Sequence, residues 1–275
     1  MDRRAALRLA GTGGLAATVA HFATSIPAAS AEARSRESGA DAGKLHGSQL
    51  IVWSVETAEK AISFSFDDGP NPMFTPRVLD ILREQHVRAT FFMIGQMAME
   101  HPDLARRVHA EGHEIGNHSW SHLDPASTSG STAHEEIERG ASSIRDITGV
   151  TPAWYRPPRG MLIGSAVNGA HAIDEQVAMW SVTRGPSAIA ASDVAGVRRH
   201  LVSSLAPGAI VDLHDGLGRW NHHPHRGEGK DLARRRDAEI AALPAVLEAA
   251  HAAGYRLVTL SELVALGPGG TDRTL

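Results

Sequence analysis

His118-Ser119-Trp120-Ser121-His122 sets two imidazoles four residues apart, an interval that places both on one side of a helical turn and within reach of one metal ion. The spacing alone is weak evidence, because a chain with 16 histidines produces such a pair readily by chance. Gly116 and Asn117, directly before it, read as the end of a strand, which favours a ligand pair over a coincidence. A second constellation, Asp67-Asp68-Gly69-Pro70, puts two carboxylates side by side. Like charges repel, and a cation that neutralises one of them stabilises the arrangement. One acid then binds metal while the other acts as a base; read in isolation, the same tetrapeptide is an ordinary surface turn. The chain has no cysteine, so there is no disulfide framework or thiolate site, and any metal must be held by His, Asp or Glu.

These residues need elements to bring them together. From Lys60 onward, short β-rich runs alternate with helical patterns. Ala61 to Phe66 alternates and stops at the Asp-Asp-Gly-Pro turn, and further strands are expected at 89–94, 114–117, 153–156, 176–182, 209–213 and 256–259, about seven by pattern counting. Helices are expected over 75–85, 103–110, 133–147, 193–205 and 238–253. Thr132 with Glu135 has the form of a capping box, Ser192 stands as an N-cap, and Gly112 and Gly254 sit where C-terminal glycines belong. Repeated strand-helix alternation requires crossovers and hence a parallel sheet. Asp67 and Asp68 follow the first strand, His118 the third, Arg156 ends the fourth and His214 follows the sixth. In a βα barrel all these strand ends open on one face, which brings distant residues to one pocket.

Composition bounds the rest. The formal net charge is -4 with both signs spread along the chain, so no basic stripe suited to nucleic acid is present. Arg3, Arg4 and Arg8 precede a weakly apolar run ending at Ala29-Ser30-Ala31, which resembles a twin-arginine export signal and is too short and dilute for a membrane span. The expected organisation is a signal over 1–31, a polar linker over 32–57, one catalytic domain over 58–267 and a flexible tail over 268–275. The expected product is a monomer, secreted or in the cell envelope, without a stable membrane anchor.

Ser65-Phe66-Asp67-Asp68-Gly69-Pro70, His118-Ser119-Trp120-Ser121-His122, Arg156-Pro157-Pro158 and Leu213-His214, in this order, together resemble the polysaccharide deacetylases with a NodB-homology domain, carbohydrate esterase family four. The resemblance spans about Lys60 to Leu266. Four agreeing motifs are far more specific than any one. The resemblance implies a distorted (β/α)7-type barrel with its active site at the C-terminal ends of the strands. It implies that Asp68, His118 and His122 hold a divalent metal, zinc above others, that Asp67 is the general base oriented by Arg156, and that His214 is the general acid. Pro158, Arg159, Trp180 and Leu213 are expected at the substrate. A two-His, one-carboxylate site leaves coordination positions open, as hydrolytic chemistry requires. The implied partner is an acetylated polysaccharide or oligosaccharide, with N-acetylglucosamine chains of the peptidoglycan or chitin type first.

Two departures from the family pattern stand out. Position 159, usually aromatic, is Arg, and position 183, usually the Asp that partners the catalytic histidine, is Thr. Asp212, two residues before His214 on the same side of a strand, and the adjacent Asp215 are the candidate replacements. His222, His223 and His225 with Trp220 form either a sugar-lining or second-metal loop or a plain exposed one. Competing functions are an O-acetyl xylan esterase using the same machinery, a non-catalytic carbohydrate-binding relative, and an iron oxygenase built on the same ligand triad.

Overall fold

The computed structural model describes residues 49–268. The expected export signal, the linker up to residue 48 and the tail from 269 lie outside the described residues. β1 (Ile51–Val52) and β2 (Ala61–Asp67) precede α1 (Thr75–Glu84), and β3 (Thr90–Met93) leads through α2 (Gly95–Glu100) and α3 (Pro102–Ala110) to β4 (Glu114–Asn117). Next come α4 (Gly130–Thr148), β5 (Trp154–Tyr155), α5 (Gly164–Ala172), β6 (Gln176–Ala178) and β7 (Val182–Thr183). Then α6 (Val194–Ser204), β8 (Ile210–His214), α7 (Gly227–Ala252), β9 (Arg256–Val258) and α8 (Leu260–Val264) follow.

Every pairing among these strands is parallel, in the order β1-β6-β5-β4-β3-β2-β8-β7, with β9 added beside the first half of β2. The sheet curls in keeping with the distorted (β/α)7-type barrel that the family resemblance implies. Its two ends meet because β6 and β7 are separated only by residues 179–181, so one stretch of chain leaves β5 and joins β8. Strand β2 shows how the sequence writes this. All seven of its residues are buried: Ile62, Phe64 and Phe66 join the main apolar core with α1 and α7 side chains, while Ser63 and Ser65 alternate with them on the other face. These small side chains leave room inside the barrel, and the Ser65 hydroxyl accepts from Arg156 there at 2.8 Å.

Several boundaries differ from the sequence reading. The run expected as one strand over 176–182 is broken into β6 and β7. The expected capping box at Thr132 is not used; Ser129 caps α4, its hydroxyl accepting from the Thr132 N–H at 3.1 Å. Asp193 rather than Ser192 caps α6. Strand β1 falls inside the segment read as linker, pairing Ile51 with Val177 and burying Val52, so the sheet begins before residue 58. Helix α7 begins at Gly227, well before the expected 238, because its first turns carry Gly and charged residues and the apolar periodicity starts only at Ala238.

Candidate active site

Asp67 ends β2 and Asp68 follows it with φ 78°, a left-handed backbone that swings the second carboxylate away from the first. Asp68 Oδ1 lies 3.1 Å from His122 Nε2 and 3.6 Å from His118 Nε2. Among the described residues, Asp68, His118 and His122 form the one cluster of such side chains whose ligating atoms all lie within 4.8 Å of one another. The two imidazoles do not sit on a helical turn. Their segment is a loop after β4 with Ser119 at φ 66° and His122 at φ 58°, and the rings meet edge to face at 5.1 Å. The loop is pinned from behind: Asn117 accepts from the Ser119 N–H at 3.0 Å and donates to the Ile137 carbonyl at 2.9 Å, and the Ser121 N–H donates to Glu136 at 2.8 Å.

The donor set fits a divalent cation. His118 donates through Nδ1 to the Arg156 carbonyl at 2.8 Å, which fixes the tautomer and leaves the Nε2 lone pair toward Asp68. Asp68 is held well below the ordinary carboxylate range; burial opposes this, but the His122 and His118 imidazoles facing it prevail. It is therefore an anion, as ligation requires.

Arg156, at the end of β5, is wholly buried and spans the inside of the barrel. Its Nη1 donates to Asp67 Oδ1 at 2.8 Å, Ser65 Oγ at 2.8 Å and Asp212 at 3.3 Å, and Nε and Nη2 reach the Ala178 and Met179 carbonyls. Its guanidinium lies 4.0 Å from the Phe92 ring centroid. One oxygen of Asp67 is thus committed to Arg156, and the other, 3.7 Å from His118 Nε2, faces the ligand cluster. Asp212 has its pKa raised to about 7, first by burial and then by the nearby charge of Asp67, with His214 and Arg156 pulling the other way.

His214 closes β8, opposite Asp67 in register. Neither candidate acid partners it: Asp212 is turned to Arg156, and Asp215 receives the Thr75 hydroxyl at 2.6 Å. Its partner is Glu239 of α7, whose Oε2 accepts the His214 backbone N–H at 3.1 Å and ring Nδ1–H at 3.3 Å. Sequence reasoning missed Glu239 as a site residue. Burial and Arg236 disfavour the imidazolium, yet Asp212 and Glu239, the latter also through its hydrogen bond, hold the His214 pKa up at about 9.

Asp67, Asp68, His118, His122, Asp212 and His214 line a cleft of about 480 Å³, rimmed by Arg159, Trp180, Thr183, Arg219 and Trp220. Two residues expected at the substrate are not in its wall. Leu213 alternates with Asp212 and His214 on β8 and so faces the core, fully buried, and Pro158 is buried behind the rim. Arg159 is exposed at φ 59° and points toward Asp124, its Nη1 at 3.6 Å. Trp154 is a core residue whose Nε1 donates to Ser261 at 2.8 Å. His222 pairs with Glu100 on the surface at 2.6 Å, and among the described residues the pair belongs to no cluster of three ligating side chains.

A family model described as polysaccharide deacetylase matches residues 54–177. A peptidoglycan-N-acetylglucosamine deacetylase of Bacillus cereus is 35% identical over 221 residues, covering 80% of this chain and 96% of that protein. A chitooligosaccharide deacetylase of Bradyrhizobium sp. is 34% identical over 74% of this chain and 90% of its own length. The crystal structure of the Bc1960 peptidoglycan N-acetylglucosamine deacetylase superposes with a TM-score of 0.67 over 78% of this chain and 92% of that one, at 24% identity, a match of fold.

Proposed function

The chain belongs to the polysaccharide deacetylase family, and from that premise we propose that it is a metal-dependent hydrolase that removes acetyl groups from N-acetylglucosamine-containing glycans. The observation that carries the reading is the meeting, in one cleft, of a compact Asp68-His118-His122 ligand set with an Arg-held carboxylate on one side and a carboxylate-held imidazole on the other. Peptidoglycan and chitin-type oligosaccharides, the substrates named for the two relatives, are the first candidates.

Asp68, His118 and His122 would hold a divalent metal, with zinc favoured by two imidazoles and one carboxylate. When bound, that cation supplies Lewis acidity toward a carbonyl oxygen and a water molecule. The chain does the rest. Asp67, with one oxygen fixed by Arg156, takes the proton of the attacking water on the other. His214 gives a proton to the departing amine. Arg156 aims Asp67, holding one carboxylate oxygen so that the other faces the ligand cluster. Trp180 and Trp220 offer apolar faces to a sugar ring at the rim. Export by the twin-arginine-type segment over residues 1–31 would deliver the enzyme to a cell-envelope glycan.

Acetate release by zinc-loaded protein from N-acetylated chitooligosaccharides, peptidoglycan fragments and O-acetyl xylan tests the reading. Release from the N-acetylated substrates, lost in Asp67→Asn, is the expected result. Release from O-acetyl xylan alone would make the protein an ester hydrolase, and glycan binding without release would make it a non-catalytic relative.

A further inference from the structure

The family resemblance implies a carboxylate partner for the catalytic histidine at position 183, where this chain has threonine. We infer that Glu239, on α7, is the positioning carboxylate for His214, supplied from a different element. Its geometry is specific to that task. One oxygen, Oε2, receives both the backbone N–H and the ring Nδ1–H of His214, so it fixes where the strand end lies and how the ring is turned. The other, Oε1, accepts from Arg236 at 3.1 Å and lies 3.5 Å from Arg184 Nε. The side chain is 1% exposed, and a buried carboxylate stays ionised when cations of this kind face it. Arg236 extends the chain of contacts, since its Nη2 lies 3.2 Å from Asp68 Oδ2.

The two competing acids are committed elsewhere, Asp212 to Arg156 and Asp215 to Thr75. With Nδ1–H held by Glu239, the free nitrogen of His214 is Nε2, on a ring that lines the cleft. The proton on Nε2 passes to the departing nitrogen as its bond to the acetyl carbon breaks. The electron pair of that bond stays on nitrogen and takes up the proton, while the ring returns to its neutral form with Nδ1–H still on Glu239. Glu239 thus acts through His214 and touches no reacting atom.

The inference rests on the deacetylase reading for its kinetic consequence, but the state of the ring can be measured without turnover. Histidine side-chain 15N spectra of the wild-type protein, taken on the alkaline side of the His214 titration and with the His214 signal assigned by its loss in His214→Gln, should show the neutral ring protonated at Nδ1. A neutral ring protonated at Nε2 overturns the inference and leaves the deacetylase reading intact. Kinetics supply the second arm. A good leaving group such as 4-nitrophenolate departs without a proton, whereas an amine does not. In Glu239→Gln, kcat on an N-acetylated chitooligosaccharide should fall relative to kcat on 4-nitrophenyl acetate by about tenfold or more, part of the roughly 10²–10⁴-fold that a positioned general acid supplies. An equal loss on both substrates marks a structural role for Glu239 and overturns the inference, as does no loss. If Glu239→Gln fails to fold, Glu239→Asp, one methylene shorter, serves the same comparison. Wild-type protein that releases no acetate from any substrate would sink the deacetylase reading, and the spectra would still decide the partner of His214.

Discussion

Asp67 and Asp68 are neighbours of identical chemistry, and what separates their proposed roles is the company each oxygen keeps. Asp68 turns out of the strand at φ 78° to meet two imidazoles, while Asp67 stays in the strand with one oxygen bound by Arg156. Replacing a ligand and replacing a base should therefore differ in kind. His118→Ala is expected to lose bound metal together with activity, whereas Asp67→Asn keeps the metal and lowers kcat by about 10²–10⁴-fold; metal content by mass spectrometry and single-turnover rates distinguish the two. Charge at His214 gives a second expectation. The groups facing it are Asp212 on its own strand, Glu239 and Arg236 on α7, and the carboxylates Asp67 and Asp68 at the end of β2. Removing the negative charge in Glu239→Gln makes the imidazolium less favourable and lowers the His214 pKa from about 9. The acid form is then lost at lower pH, so the alkaline limb of kcat/KM against pH should move down relative to wild type. A limb that stays put would show that another group sets it. The motif residues of this site were legible because each follows a strand in the sequence. Glu239 was not: it lies 25 residues from His214, and only the packing of α7 against the end of β8 brings them together.

At the scale of elements, the histidine loop depends on how closely α4 approaches it. A Cβ on Gly140 would stand 2.5 Å from Asn117 Oδ1 and 2.7 Å from the Ser119 carbonyl carbon, the residues that shape the loop between the two imidazoles. Gly140→Ala in an isolated helix would gain about 1 kcal/mol in propensity. Here overpacking costs roughly 1–3 kcal/mol, and the atoms in the way include backbone, so the clash wins. The expected outcome is a lower Tm with weaker metal binding, read by thermal melts with and without zinc; a Tm above wild type with unchanged metal affinity would contradict it. Which elements existed was readable, since the apolar periodicity of β2 or α1 reflects the face each buries. Their ends were less so. Ser129 and Thr132 both have the chemistry of an N-cap, and the choice falls to where the chain enters α4.

For the molecule as a whole, the N-terminal boundary bears on both export and the site. Exported protein should start near Glu32, after Ala29-Ser30-Ala31, a result N-terminal sequencing would show directly and retention of the first 31 residues would contradict. The sequence reading puts the start of the domain at residue 58, although only Glu32 to Gln49 are polar and without periodicity and Leu50-Ile51-Val52-Trp53 is apolar. The structure places the start earlier for a tertiary reason. Ile51 and Val52 pair with β6, and the Val52 carbonyl accepts the Met179 N–H at 2.7 Å. The Val55 N–H donates to the Gly208 carbonyl at 2.9 Å, and Val52 and Val55 are buried with Ala178 and Ile210. This contact matters to the site, since the Met179 carbonyl also receives Arg156 Nη2 at 3.0 Å and Trp180 follows it at the rim. A chain beginning at Gln49 keeps β1 and its contacts and serves as the reference. A chain beginning at residue 58 loses the burial of two valines, about 1.5–3 kcal/mol each. For a domain of this size that lowers Tm by roughly 6–12 °C or more. It also loosens the carbonyls that hold Arg156, so kcat should fall together with Tm. Equal melting temperatures for the chains beginning at 49 and 58 would mean that β1 is dispensable and that the boundary read from the sequence was the better one.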